Sequence, residues 1–181
     1  MKHIWFALCI SALPLSLLGG CATLSESECR NSDWYDIGFR DGRTGEPQDR
    51  ISRHAGACAE HGVAPDRARY LDGHEAGLEH YCTQHNGLAT GQSGAAYQGV
   101  CPAGEEEAFL SGYSVGQALY RVRSRLSSLD HEIQGLDKSI AAEDVEKKEL
   151  ATLIYRRVQL EGERGEAREE LRRLETEADT I

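Results

Sequence analysis

Tyr35-Asp36-Ile37-Gly38-Phe39-Arg40-Asp41-Gly42 decides how this chain is read, because its frame returns twice. The pattern aromatic-x-x-Gly-x-x-x-Gly recurs as Tyr70, Gly73, Gly77 and as Phe109, Gly112, Gly116, with 35 and 39 residues between successive copies. A spacing kept three times marks an internal repeat. Steps of three and four return to one helical face, so each copy predicts a helix with its ring and both glycines aligned. Glycine costs about 1 kcal/mol relative to alanine inside a helix, so six of them imply close helix approach as compensation. Such glycine spacing is best known between membrane helices. Here Asp36, Arg40, Asp41, Asp72, Glu75 and Glu79 interrupt the copies, and three short water-facing helices packed through glycine faces are expected. Asp66 after Pro65 suits the start of the second, and Glu105 to Glu107 the first turn of the third.

Around the repeat, aliphatic residues are scarce. Trp34, Tyr35, Phe39, Tyr70, Tyr81, Tyr97, Phe109 and Tyr113 are expected to supply much of a small core. The stretch GLATGQSGAAYQGVCP, 87–102, reads as a loop, with a short extended piece over 97–101. Downstream, Leu119, Val122, Leu126, Leu129, Ile133, Leu136 and Ile140 alternate three and four apart, as in a heptad. The register breaks over 141–146 and resumes shifted with Leu153, Leu160, Ala167, Leu171, Leu174 and Ala178. Asp144 can cap a new helix. An antiparallel hairpin turning near Glu143 is the preferred reading over one stuttered rod. The expected fold is mainly α: a small disulfide-bonded domain of Gly/aromatic helices over 33–116, then a helical hairpin or coiled coil over 117–179.

Upstream, MKHIWFALCISALPLSLLGGCA has a basic start and an apolar stretch too short to span a bilayer. Leu18-Gly19-Gly20-Cys21 matches a bacterial lipobox, so residues 1–20 read as a lipoprotein signal peptide and Cys21 as the acylated N-terminus of the mature chain. Several acyl chains, palmitate among them, would hold it far more firmly than one could. Residues 21–32 then read as a polar tether, and Ala22 after the cysteine favours the periplasmic face of the outer membrane. Cys29, Cys58, Cys82 and Cys101 would meet an oxidising compartment, where an even count reads as disulfides. Three connectivities are open; local closure favours Cys29–Cys58 and Cys82–Cys101. The net charge of −10 makes nucleic acid an unsuitable partner.

DWYDIGFRDGRTG, HAGACAEHGVAPDRARYLDGHEAGLEHYCT, GQSGAAYQGVCP and FLSGYSVG together resemble an uncharacterised family of proteobacterial lipoproteins, domain of unknown function 2799. The resemblance covers roughly residues 21–125. It implies a lipoprotein with a variable helical tail and no assigned activity.

Motifs with chemistry are few. Cys58-x-x-His61 and Cys82-x-x-His85 could form a zinc site, but disulfides are the better reading of those sulfurs. His54, His74 and His80 lie among acidic residues, which allows acid–base work; the plainer reading is a solvated helix face. Arg40, Asp41, Gly42 and Arg43 beside Trp34 could form a polar patch, or simply cap and pair at the surface. His74-Glu75 lacks the second histidine of HExxH, and Gly91-Gln92-Ser93-Gly94-Ala95 misses GxSxG at its last place. No enzyme and no cofactor are expected. The leading expectation is a structural or protein-interaction lipoprotein, with an envelope partner meeting the C-terminal helices. The alternatives are a metal- or ligand-binding envelope protein and, further off, an envelope hydrolase.

Overall fold

Each glycine pair of the repeat lies against a bare stretch of neighbouring backbone, and this contact organises the chain. The computed structural model describes residues 22–142 and 145–181. Among these are seven helices and no strand: α1 (Glu26–Asn31), α2 (Trp34–Arg43), α3 (Arg50–Ala59), α4 (Arg67–Tyr81), α5 (Gln84–Gln92), α6 (Ala103–Ile140) and α7 (Lys147–Ala178). The expected mainly α architecture is present, with two disulfides and a long helical C-terminal part. Residues 1–21, and with them the signal segment and Cys21, lie outside the described residues, as does Asp144.

Helix starts follow local chemistry. The Asp33 carboxylate accepts from the Tyr35 amide and caps α2, and the Asp66 carboxylate accepts from the Arg69 amide and caps α4. Arg69 also donates to Asp33 at 2.9 Å, joining the two starts. Ser25 and Glu28 form a reciprocal capping box on α1.

The repeat is paired rather than threefold. α2 packs on α4, and α5 packs on α6. A β-carbon added to Gly38 would lie 2.0 Å from the Tyr70 carbonyl oxygen, and one on Gly73 would lie 2.0 Å from that of Tyr35. Gly42 faces the His74 carbonyl and Gly77 that of Phe39. The second pair repeats the scheme: Gly87 faces Phe109, Gly112 faces Gln84, Gly91 faces Tyr113 and Gly116 faces Leu88. In all eight cases the glycine meets the carbonyl three residues before a glycine of its partner. Contacts advance together along both chains, so the helices within each pair run in the same direction.

This corrects the reading of 87–102 as a loop. Its first part is α5, a fourth copy of the frame in which Gln84 stands where the other copies carry a ring. The remainder, 93–102, is irregular, and no strand forms at 97–101. Beyond each first-helix glycine pair comes one more glycine with positive φ, Gly45 (71°) and Gly94 (76°). The ring of Tyr81 closes over Gly45 and that of Tyr120 over Gly94. The domain is thus one unit used twice, α2 with α4 and α5 with α6.

The units are joined through aromatic residues. Tyr81 of α4 stacks on Phe109 of α6 with ring centroids 5.0 Å apart, and Tyr97 from the irregular segment covers Phe109 at 4.7 Å. Trp34, Tyr70, Tyr81 and Phe109 are buried, whereas Tyr35 reaches solvent. Cys29–Cys58 ties α1 to α3, and Cys82–Cys101 ties the end of α4 to the start of α6. These are the two local pairings.

α6 passes residue 116 without a break and continues into the hairpin. At 38 residues it is about 57 Å long at 1.5 Å per residue. Leu119, Val122, Leu129 and Ile133 of α6 share a core with Leu160, Ala167 and Leu174 of α7. Arg123–Glu175, Asp130–Arg164 and Asp137–Arg157 cross the interface in antiparallel order, which makes this a hairpin.

The expected tether over 21–32 is corrected as well. From Leu24 onward that segment is packed: Leu24 is 2% exposed, Cys29 is buried, and both join Trp34, Ile37, Ile51, Cys58 and Tyr70 in one cluster.

Candidate functional site

α3 connects the parallel pair α2 and α4, and it carries His54 into the space beside them. His54 is fully buried and Asp41 is 4% exposed. His54 Nε2 lies 2.7 Å from Asp41 Oδ2, and the Tyr70 hydroxyl donates to the same oxygen at 2.9 Å. On the other side of the ring, His54 Nδ1 lies 2.8 Å from the Thr23 hydroxyl. Arg50 places Nε 3.6 Å from Asp41 Oδ1 and donates from Nη1 to Glu46 at 2.6 Å. His74 Nε2–H donates to the Glu46 carbonyl at 2.7 Å, while its buried Nδ1 has no hydrogen-bond partner among the described residues.

The electrostatics favour an ionised Asp41. Burial pushes its carboxyl up, but hydrogen bonds from His54 and Tyr70, with the charges of His54 and Arg50, outweigh burial and hold it below the ordinary range. Tyr70 is pushed the other way, by burial first and then by the adjacent Asp41 charge. With Asp41 charged, Nε2 of His54 is the donor in that bond, and Nδ1 is left to the Thr23 hydroxyl. The solvated-face reading of His54 and His74 is therefore wrong: both are core residues, His54 bonded to the Asp41 carboxylate of α2 and His74 to the Glu46 carbonyl in the turn after α2. Asp41 likewise is no surface patch. Arg40 and Arg43 stay apart from it, Arg40 pairing with Glu28 of α1 at 3.1 Å. His80 meets the Phe39 ring edge-on, with centroids 5.5 Å apart.

Thr23, His54 and Asp41 follow one another in the order of a hydrolase relay. Such a relay needs a nucleophile open to substrate. Here the histidine is completely enclosed and both its nitrogens are engaged. A concavity of about 430 Å³ opens between the two units, lined by Gly45, Glu46, Arg53, Tyr81, Thr90 and Ser93 among others; neither Thr23, His54 nor Asp41 borders it. What the array does is hold α3 and the N-terminal segment onto α2 and α4.

Cys58 and Cys82 each spend their sulfur in a disulfide, so neither has a thiolate to give to a zinc site with His61 and His85. His61 Nδ1 sits 3.9 Å from Glu26 of α1. Gly38, Gly42, Tyr70, Gly73, Gly77, Phe109, Gly112 and Gly116 lie on the packed faces of α2, α4 and α6, while Tyr35 offers its carbonyl to Gly73 and turns its ring to solvent. Sequence reasoning missed the Asp41–His54–Tyr70 cluster and the glycine pair of α5.

These features define a class: an all-helical, disulfide-pinned domain built from two glycine-packed parallel helix pairs and extended by an antiparallel hairpin. Residues 33–118, which carry the glycine frame of both helix pairs, match the family model described as Protein of unknown function (DUF2799). No curated protein and no solved structure matches the chain.

Proposed function

We propose that this chain is a structural or protein-interaction lipoprotein of the cell envelope, fixed by Cys21 to the periplasmic face of the outer membrane. The hairpin α6–α7 is its contact arm. One observation carries the reading: α7 is half-exposed along its whole length and keeps large apolar side chains in water, with Ile154 45%, Tyr155 65% and Val158 62% exposed. The glycine-packed domain, by contrast, spends its polar groups on one another. Exposed apolar side chains grouped on one helix face are a mark of protein contact.

The lipobox supports the anchor, and the packing of Leu24 gives it mechanical meaning. Between an acylated Cys21 and the core lie only Ala22 and Thr23, and Thr23 is itself bonded to His54. A domain so closely tied would rest against the headgroups instead of swinging on a leash. No described helix is long and apolar enough to cross a membrane, so the acyl chains would hold it there.

Two measurements test this. Labelled palmitate should enter the wild-type chain and not Cys21→Ser, with the variant released on osmotic shock; equal release of both would remove the anchor. A photo-crosslinking residue at position 155 should give discrete adducts in intact cells, against none from position 127 on α6. Absence of adducts at both would remove the contact arm.

A further inference from the structure

α7 has two apolar seams, and only one is covered. Leu160, Ala167 and Leu174 face α6, with Leu171 and Ala178 packed beside them. On the opposite side Ala151, Tyr155, Val158, Gly162 and Gly165 follow one another at steps of four and three, all exposed. That is a second heptad seam on the same helix. Among the described residues a β-carbon added at Gly162 or Gly165 would meet nothing within 4 Å, so their packing explains neither glycine. Each also carries glycine's helix-propensity penalty relative to alanine.

The seam is self-complementary. It is large at one end, with Tyr155 and Val158, and small at the other, with Gly162 and Gly165. A two-fold axis beside Leu160 would set Val158 on the partner's Gly162 and Tyr155 on the partner's Gly165, all four at once. Charge follows the same symmetry. Over 147–160, Lys147, Lys148, Arg156 and Arg157 against Glu149 give +3; over 161–178, four basic against seven acidic residues give −3. Arg156 and Arg157 already pair with Glu132 and Asp137 of α6, and Glu163 and Glu175 with its Arg125 and Arg123. Lys147 and Lys148 at one end and Glu166, Glu170 and Glu177 at the other keep the same asymmetry, so a second copy laid antiparallel puts each positive half over a negative half. The chain already uses the same size relation inside its domain, where Tyr81 lies over Gly45 and Tyr120 over Gly94.

We infer that the outer face of α7 is a homodimer interface, two copies meeting antiparallel through Tyr155, Val158, Gly162 and Gly165. This rests on the hairpin being the contact arm and names its partner as a second copy of this chain. An isologous contact of this kind closes on itself and builds a dimer, not a filament.

Sedimentation equilibrium of the full chain in mild detergent tests it, run in parallel on Cys21→Ser so that loss of the anchor cannot be mistaken for loss of the dimer. A dimer is expected at micromolar concentration, weakening with salt, and at least tenfold weaker in Val158→Glu and in Gly165→Trp at unchanged helical circular dichroism. Chains carrying Val158→Cys and Gly162→Cys should crosslink to each other when mixed, more readily than either with itself. A monomer at 100-fold higher concentration overturns the proposal, as does a dimer that both substitutions leave intact. Monomeric chain whose binding to vesicles of anionic phospholipid is lost in Val158→Glu would assign the face to a lipid surface instead.

Discussion

Gly73 of α4 lies so close to Tyr35 of α2 that a single methyl group on it would sit 2.0 Å from the Tyr35 carbonyl oxygen. The glycine Cα is then within about 3.5 Å of that oxygen, the range of weak Cα–H···O contacts. Backbone cannot rotate aside as a side chain can, so the clash must be met by separating the helices. Gly73→Ala is expected to destabilise the domain by about 3 kcal/mol, the upper end of overpacking costs. Gly135→Ala is the control, because that position has nothing within 4 Å; it should gain up to about 1 kcal/mol from helix propensity. Urea unfolding followed by circular dichroism measures both, and equal effects would refute close packing.

Asp41 is the shared acceptor of His54 and Tyr70. Asp41→Ala leaves two buried donors without a partner, at about 1–3 kcal/mol for each orphan. Asp41→Asn keeps an acceptor oxygen and should cost less. The sign of the pH dependence is set by the lowered carboxyl. A carboxyl lowered in the folded state contributes stability above its unfolded value, and that contribution disappears as pH falls through its folded value. The stability gap between wild type and Asp41→Asn should accordingly narrow under acid. A gap that widens would mean the carboxyl is raised.

Glu28 gives a separate acid response. Its carboxyl is lowered from 4.5 to about 2 by the Ser25 amide first, then the Ser25 hydroxyl and Arg40. The capping box is at full strength above pH 4.5 and fades as pH drops toward 2. Over that window, amide exchange in α1 should quicken ahead of exchange in α4, and Glu28→Gln should blunt the pH dependence. Uniform quickening in both helices would show that global unfolding, not the cap, is the cause.

The disulfides close segments of 29 and 19 residues, for which the chain-entropy relation gives about 3–4 kcal/mol each. Replacing Cys29 and Cys58 together by alanine should lower the melting temperature and free α1 to exchange. Replacing Cys82 and Cys101 should loosen the junction between the two units, read as faster exchange around Phe109. Melting temperatures unchanged in both double variants would make the bridges redundant.

Much of this fold was legible because its signals are local. The heptads of α6 and α7 and the ring-plus-glycine frame of α2, α4 and α6 depend on spacing alone. α5 was read as loop because Gln84 replaces the ring and small polar residues surround its glycines. A weaker requirement, Gly-x-x-x-Gly followed three residues on by another glycine, would have paired 87–94 with 38–45. α1 also left a sign, Ser25-x-x-Glu28 beside the lone aliphatic Leu24. The burial of His54 and His74 had no such local sign, since the carboxylate satisfying His54 comes from α2 and the carbonyl satisfying His74 from the turn after it. Charge near a histidine in sequence suggests water; charge brought to it by another helix is what permits a dry core.

Because each interhelical glycine meets a main-chain oxygen, the surface it recognises is the same whatever side chain that residue carries. Gln84 can replace a ring without moving α5, and α6 need not know the difference. A spine of this kind ties geometry to a handful of hydrogens and leaves the rest of the letters free to wander, so two halves of one domain can share a shape while their spellings drift apart.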